Sequence, residues 1–291
     1  MRVEACGLCG TDIHLAVDGD LPVERTPITL GHEAAGVVAG AGADDGSVKE
    51  GDRVALFPAA SCGSCHFCRI GRESLCDRSK VYGMARDGAL AEYVTAPAAS
   101  VIALPPEVPF DIGAVVTDAV ATPFHALRAR GALRAGETVG VVGCGGLGTH
   151  AIILARMMGA SCIVAVRKSL RTAVPGGLDL VLECVGAAKT VQLAIRCLGK
   201  SGRAVLIGVG PERPELPPLV AFVGREQAVL GSFGMDRVDI EDLYGLIASG
   251  RLNLSESISA RYPLAKANDA LQHLARKEDA VVRVLVEPRD R

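Results

Sequence analysis

The chain has 291 residues, of which 49% are hydrophobic and 22% charged, and its formal net charge at pH 7 is −2. This length allows two domains and a large core, the hydrophobic content excludes a disordered chain, and the balanced charge offers no basic surface to nucleic acid or anionic membranes. The sequence shows neither a membrane-spanning apolar run nor a signal segment, so we expect a cytoplasmic protein without a membrane partner.

About the first hundred residues consist of short apolar runs, such as VVAGAG, DRVALF and VIALP, separated by glycine and proline. This pattern of short apolar runs is typical of short β-strands joined by turns. We therefore predict a β-domain over residues 1–118. A C-terminal segment, residues 232–291, adds two helical patterns and the strand-like run VVRVLVEP.

Four cysteines in this region form the run C-G-S-C-H-F-C-R-I-G-R-E-S-L-C, with gaps of two, two and seven residues. Gaps this short let one loop surround a single ion, and four thiolates complete the tetrahedron of a structural zinc site. A disulfide framework is the alternative, but it is typical of small secreted chains. His66 lies inside the loop and could replace one ligand. The predicted ligands are Cys62, Cys65, Cys68 and Cys76.

A second set of metal-binding residue types lies upstream of that loop: Cys9, His14, His32 and Glu33. These residues offer thiolate, imidazole and carboxylate donors rather than four thiolates. Catalytic zinc sites use such mixed ligands and keep one position open. One closed set and one mixed set together indicate a zinc enzyme.

From about residue 119 to residue 231 the pattern alternates between strands and helices. Apolar runs such as GETVGVVG, SCIVAV, LDLVLECVG and GRAVLIGVG alternate with helical patterns such as LGTHAIILARMMG and KTVQLAIRCLG. This alternation predicts βαβ units and a doubly wound parallel sheet of the Rossmann type. The fold class is therefore α/β, with a nucleotide-binding domain over residues 119–231.

A glycine-rich turn, G-C-G-G-L-G, lies directly between the first of these strands and the helix after it. In that position, G-x-G-x-x-G is the fingerprint of a dinucleotide site. Its glycines allow a tight turn, close approach of a pyrophosphate and close helix packing, while the helix N-terminus favours the phosphates. The residues of this predicted site are Gly143, Gly145, Gly146, Leu147 and Gly148.

The second strand of the domain is followed by Arg167 instead of the acidic residue that holds a ribose 2′-hydroxyl. Arg167 could pair with a 2′-phosphate and favour NADP, or it could simply begin the next helix. Only a short stretch separates SCIVAV from LDLVLECVG, which leaves room for a single crossover. We therefore expect the parallel sheet to lack one edge strand.

Several motifs, in this order, resemble the zinc-dependent medium-chain alcohol dehydrogenases. They are V-E-A-C-G-L-C-G-T-D-I-H at residues 3–14, G-H-E at 31–33, G-D-R-V at 51–54, the four-cysteine loop, T-D-A-V-A-T-P-F-H-A at 117–126 and the glycine turn. The resemblance implies a GroES-like β-domain paired with a Rossmann domain, the last segment returning to the β-domain.

The same resemblance implies a catalytic zinc site. Cys9 and His32 match the first two ligands of the family, and Asp118 stands where members place a third ligand. Glu33 corresponds to a nearby or exchangeable carboxylate. Asp118 has an alternative role as the N-cap of the helix that would follow it.

Further roles follow from the resemblance alone. Asp12 would orient the ligand histidine, and Thr11 and His14 would form the proton relay of the reaction. Thr122 matches a position that contacts the nicotinamide, and Arg283 resembles an arginine that contacts the pyrophosphate. The implied cofactors are two zinc ions per chain and NAD or NADP.

The implied activity is hydride transfer between an alcohol and NAD(P), or the reverse reaction on an aldehyde or ketone. Relatives form dimers or tetramers, so we expect a homo-oligomer. From the resemblance we also expect two departures from the family: the loss of a pair of leading strands, which would leave an unpaired sheet edge, and the loss of part of the Rossmann domain. These deletions leave open an alternative: a zinc-binding, catalytically impaired remnant of the family.

Overall fold

The computed structural model of the protein describes residues 1–19, 21–42, 47–166, 174–276 and 281–289. The chain divides into two compact units. The first unit combines Met1–Ala121 with Met235–Arg291, and the second is Thr122–Gly234. Within the described ranges, no helix is both long and apolar enough to cross a bilayer.

On average, the strands are shorter in the first unit than in the second. They are β1 (Arg2–Leu8), β2 (Glu33–Val37), β3 (Arg53–Leu56), β4 (Ala59–Ala60), β5 (Lys80–Val81), β6 (Val101–Ala103), β7 (Thr138–Val142), β8 (Cys162–Val166), β9 (Leu178–Glu183), β10 (Leu198–Leu206), β11 (Ala228–Gly231), β12 (Ala260–Pro263) and β13 (Val284–Glu287).

The α-helices are shorter on average in the first unit than in the second. They are α1 (Gly10–Ile13), α2 (His66–Arg69), α3 (Phe110–Val115), α4 (Ala121–His125), α5 (Gly146–Met157), α6 (Ala188–Cys197), α7 (Leu219–Gly224), α8 (Arg237–Ala248) and α9 (Ala267–Ala275). Turns of π-helix extend three of them, at His14–Asp18, Val116–Val120 and Ala126–Arg130.

The first unit is built on a six-stranded sheet in the order β12-β13-β1-β2-β3-β6. Its pairs are antiparallel except β12 with β13, which run parallel. β1 is paired on both sides, so the edges of this sheet within the described residues are β12 and β6. The strand that leads into residues 9–14, β1, thus lies inside this sheet, and the C-terminal strands β12 and β13 complete it.

The second unit contains a parallel five-stranded sheet in the order β11-β10-β9-β7-β8. The helix α5 joins β7 to β8, and α6 joins β9 to β10, as in a Rossmann domain. The runs of Val and Leu in β7 and β9 are buried, as expected for interior strands of a parallel sheet. Among the described residues β8 pairs with a strand on one side only, with β7.

Candidate metal centres and dinucleotide turn

The first candidate ligand, Cys9, is fixed by a capping box at the start of α1. Cys9 is the N-cap residue, and its backbone N–H donates a 2.9 Å hydrogen bond to Asp12 Oδ2. Asp12 is fully buried, and its other carboxylate oxygen faces Nδ1 of His32 at 3.9 Å. The local sequence C-G-T-D therefore begins the helix and fixes Cys9 and Asp12 relative to each other.

The second candidate ligand, His32, immediately precedes β2 and is buried together with Glu33. Glu33 pairs across the sheet with Gly7 of β1. A Cβ atom at position 7 would overlap the Glu33 carboxylate, so glycine leaves the space that this side chain needs. Adjacent strands thus place the histidine and the glutamate beside the end of β1.

Asp118 reaches the same place from a helix. It lies in the π-helical turn Val116–Val120 that continues α3, and not at a helix N-terminus. The N-cap alternative for Asp118 is therefore wrong. The wider turn of a π-helix is frequent at functional sites, and here the helix carries Asp118 to within 3.4 Å of Cys9 Sγ and 3.6 Å of His32 Nε2.

These side chains form a mixed-ligand cluster of Cys9, His32, Glu33 and Asp118, with one donor atom of each lying within 4.8 Å of the others. A zinc ion with bonds of about 2.0–2.3 Å fits among donors at such separations. Burial lowers the pKa of His32, but the charge of Asp12 and the hydrogen bond to Asp118 raise it well above its ordinary value. The neighbouring carboxylates therefore favour a positive charge at this place.

Arg283 lies beside the cluster and contacts Glu33. Its Nη2 lies 3.0 Å from Glu33 Oε1, and both side chains are almost completely buried. Burial lowers the pKa of Arg283, but Glu33, Cys9 and Asp118 more than offset that effect. The sequence signal for this ion pair was an arginine inside the apolar run VVRVLVEP. The predicted pyrophosphate contact of Arg283 stays a prediction.

The predicted proton relay lies on the first helix. Thr11 Oγ1 is 3.8 Å from Cys9 Sγ, at the edge of the cluster. His14 lies three residues later, on the same side of the helix. Its side chain is 41% exposed, and its Nδ1 is 3.3 Å from Asp18 Oδ2. The helix thus runs from the buried cluster towards solvent.

The four-cysteine loop also brings its thiols together. Donor atoms of Cys62, Cys65, Cys68 and Cys76 lie within 4.8 Å of one another, and all four thiols are free. Backbone N–H groups of Ser64 and Cys65 lower the pKa of Cys62 to about 5, which favours the thiolate that zinc requires. The Sγ–Sγ distances of 3.9 Å and 3.5 Å from Cys68 to Cys62 and Cys65 suit a tetrahedral zinc and exclude a disulfide.

The glycine turn lies at the carboxyl end of β7. Gly143 has φ +90°, and Gly145 is the N-cap of α5, whose first turn contains Gly146, Leu147 and Gly148. A Cβ atom at Gly148 would overlap the carbonyl oxygen of Gly143, so only glycine permits this approach of helix and strand. Thr122 is buried at the start of the second unit, and Arg167 lies outside the described residues.

Comparisons with known proteins agree with this arrangement. Residues 1–106 match the family model of the alcohol dehydrogenase GroES-like domain, and residues 166–249 match that of the zinc-binding dehydrogenases. An alcohol dehydrogenase of Geobacillus stearothermophilus is 32% identical over 94% of this chain and 87% of its own length. A sorbitol dehydrogenase of Gallus gallus is 30% identical over 100% of this chain and 90% of its own length.

A solved structure is likewise similar to this chain. A putative zinc-binding dehydrogenase from Sinorhizobium meliloti, bound to NADP, is 33% identical and has a TM-score of 0.88 over 99% of this chain and 91% of that one. These similarities support an oxidoreductase over a catalytically impaired remnant. The chain belongs to the zinc-dependent alcohol dehydrogenases, enzymes that use zinc and transfer a hydride between an alcohol and NAD(P).

Proposed function

We propose that Cys9, His32 and Asp118 bind the catalytic zinc ion, and that the four-cysteine loop binds a structural one. The observation that carries this assignment is the convergence of a thiol, an imidazole and a carboxylate from three distant segments into one cluster. Glu33 belongs to the cluster but is engaged by Arg283. Three protein ligands leave the open position that a catalytic site needs.

The glycine turn of the second unit is the proposed binding site for the pyrophosphate of NAD(P). Its support is the position of Gly143, Gly145 and Gly148 between β7 and α5, because the first N–H groups of a helix lack partners within the helix and favour phosphate. In this proposal, residues 119–231 bind the cofactor. Residues 1–118 and 232–291 carry the metal centres and the substrate chemistry.

Alcohol oxidation requires the substrate to lose a hydride and a proton. When bound, zinc supplies Lewis acidity at the substrate oxygen and the nicotinamide accepts the hydride. The Thr11 hydroxyl lies beside the cluster, so it is the group proposed to take the proton from the substrate. His14, half-exposed on the same helix face, then acts as the general base that passes the proton to solvent. Buried Asp12 keeps Cys9 and His32 in place.

The proposed substrates are polyols and related secondary alcohols. The sorbitol dehydrogenase relative, which aligns over the whole of this chain, supports this class. The mixed-ligand cluster is compatible with this substrate class. A metal site with a proton relay can act on any alcohol whose hydroxyl group reaches the metal.

The test is an assay of purified protein with NAD and with NADP against sorbitol, xylitol, 2-propanol and ethanol. We expect reduction of at least one nucleotide, with kcat/KM for the best polyol about tenfold or more above that for ethanol. Higher kcat/KM for ethanol would contradict the substrate class only. No turnover of any alcohol, nor of the matching ketones with NAD(P)H, would refute the proposed activity itself.

A homo-oligomer formed through the second unit is also part of the proposal. β11 is an edge strand of the parallel sheet, and α7 next to it in sequence exposes Leu219, Val220 and Val223 to solvent by 68%, 84% and 67%. In the part of the chain that the structure describes, β11 pairs on one side only, and both an open strand edge and exposed apolar side chains can pair with a second copy.

The change Val220→Glu places a charge on this surface and is expected to shift the protein towards monomer by at least about tenfold in dissociation constant. The matched control is Val17→Glu, since Val17 is 42% exposed in the other unit. Light scattering coupled to size-exclusion chromatography measures the mass. A monomeric wild type, or equal masses for both variants, would contradict this interface.

A cytoplasmic location completes the proposal. The cysteines of the chain are free thiols, a state that reducing compartments maintain. Cell fractionation with an antibody against the protein tests this location directly.

A further inference from the structure

Glu183, the last residue of β9, has a buried carboxyl group with three short contacts to backbone amides. The residue is completely buried. Its Oε1 accepts hydrogen bonds from the N–H of Val185 at 2.9 Å and of Gly186 at 3.0 Å, and its Oε2 lies 3.1 Å from the N–H of Gly186. The side chain therefore folds over the turn that follows its own strand and fixes the backbone of that turn.

The backbone of Glu183 joins this turn to the next strand. Its carbonyl oxygen accepts hydrogen bonds from the N–H groups of Ile207 at 2.9 Å and Gly208 at 3.1 Å, just beyond β10. A Cβ atom on Gly186 or Gly208 would overlap the backbone of the opposite turn. The backbones of the turns after β9 and β10 therefore pack directly against each other. Glu183 bonds to the first turn through its side chain and to the second through its carbonyl oxygen.

The same turn also touches the glycine turn. β9 and β7 are paired in register with Glu183 opposite Val142, and Cys184 N–H donates a 2.9 Å hydrogen bond to the Val142 carbonyl. A Cβ atom on Gly143 would lie 2.5 Å from Val185 Cγ2, so Val185 packs directly on the first glycine of the motif. Any displacement of Val185 would therefore change the packing around Gly143 in the glycine turn.

We propose that Glu183 is a positioning residue for the dinucleotide: its carboxyl group holds the Val185–Gly186 turn against the glycine turn and so shapes the pocket for NAD(P). This inference rests on the cofactor site proposed above. Ligands of open parallel sheets bind outside the carboxyl ends of the strands, where the helix connections diverge. The carboxyl ends of β7 and β9 flank that position, and Glu183 acts on it without touching the cofactor.

The chemistry explains why a glutamate fits. Two consecutive N–H groups converge on one side chain, and a carboxylate offers acceptor oxygens without a competing donor. Removal of this acceptor leaves two part-buried N–H groups without their side-chain partner, so the turn would rearrange towards water. The nearest apolar contact of Gly143 would move with it.

The experiment measures the dissociation constants of NADH and NADPH by fluorescence titration for wild type, Glu183→Ala, Glu183→Asp and Glu183→Gln. We expect Glu183→Ala to raise the dissociation constant of the preferred nucleotide about tenfold or more. Glu183→Asp, one methylene shorter, withdraws the acceptor and should weaken binding about as much. Glu183→Gln keeps one acceptor oxygen for both amides and should stay within about threefold of wild type.

The matched control is Asp179→Ala, at the other end of the same strand. Asp179 Oδ2 accepts hydrogen bonds from Thr138 N at 2.8 Å and Thr138 Oγ1 at 2.7 Å, so it also ties β9 to β7 through a carboxylate. Its loss should lower the thermal midpoint but leave nucleotide binding within about twofold of wild type. Hydrogen exchange of the Val185 and Gly186 amides gives a second readout, expected to accelerate in Glu183→Ala and not in Asp179→Ala.

The outcomes separate this inference from the cofactor site. A wild type that binds neither nucleotide would refute the cofactor site and the role of Glu183 with it. A wild type that binds, with Glu183→Ala and Glu183→Asp within twofold of it, would overturn the positioning role alone. Equal weakening by Asp179→Ala would also overturn it. If Glu183→Ala does not fold, the order of Glu183→Asp and Glu183→Gln decides, because the inference requires tighter binding by Gln.

Discussion

The change Cys65→Ser is expected to remove one of two bound zinc ions and to lower the thermal midpoint on the order of 10 °C. The loop of residues 61–79 buries almost none of its side chains, Cys76 being its one buried residue. It therefore has no apolar core of its own, and in the proposed site the bonds from its four thiolates to a zinc ion would hold it together. The loss of a structural metal belongs to the largest class of single-residue effects on stability.

The control for this prediction is Cys162→Ser, because Cys162 is exposed at the start of β8 and free. It should keep both zinc ions and the wild-type midpoint. Elemental analysis of freshly purified protein counts the metal, and calorimetry measures the midpoint. A Cys65→Ser protein that still contains two zinc ions, or a wild type that contains fewer, would show that the four-cysteine loop is not a zinc site.

The change Cys9→Ser is expected to abolish turnover, with kcat/KM at least about a thousandfold below wild type, or about 4 kcal/mol of transition-state stabilisation. A serine hydroxyl is a poor replacement for a thiolate ligand, so the mixed-ligand cluster should lose its metal while the four-cysteine loop keeps one. The thermal midpoint should change little, because the Cys9 backbone N–H still bonds to Asp12.

Nucleotide binding provides the internal control for Cys9→Ser. The glycine turn belongs to the second unit and Cys9 to the first, so fluorescence titration with NAD(P)H should give a dissociation constant close to that of wild type. A variant that retains two zinc ions and more than a tenth of the activity would remove Cys9 from the ligand set. A variant that also fails to bind nucleotide would indicate misfolding instead of metal loss.

The sequence was sufficient wherever the residues of a site are close together in the chain. The four cysteines lie within one loop, and the glycines lie within one turn, so spacing alone predicts that each set meets. The alternation of strand and helix patterns likewise predicts a parallel sheet, which the five strands of the second unit form. In these cases local geometry leaves few alternatives.

The tertiary structure decided the contacts that join distant segments. Position in the sequence could not distinguish Asp118 as a helix cap from Asp118 as a member of the cluster; its place in a π-helical turn packed beside β2 resolves this. Nor could it show that Arg283 pairs with Glu33, since strand register between β13 and β1 brings them together. Such contacts depend on which elements pack together and in which register, and side-chain direction changes with a shift of a single residue.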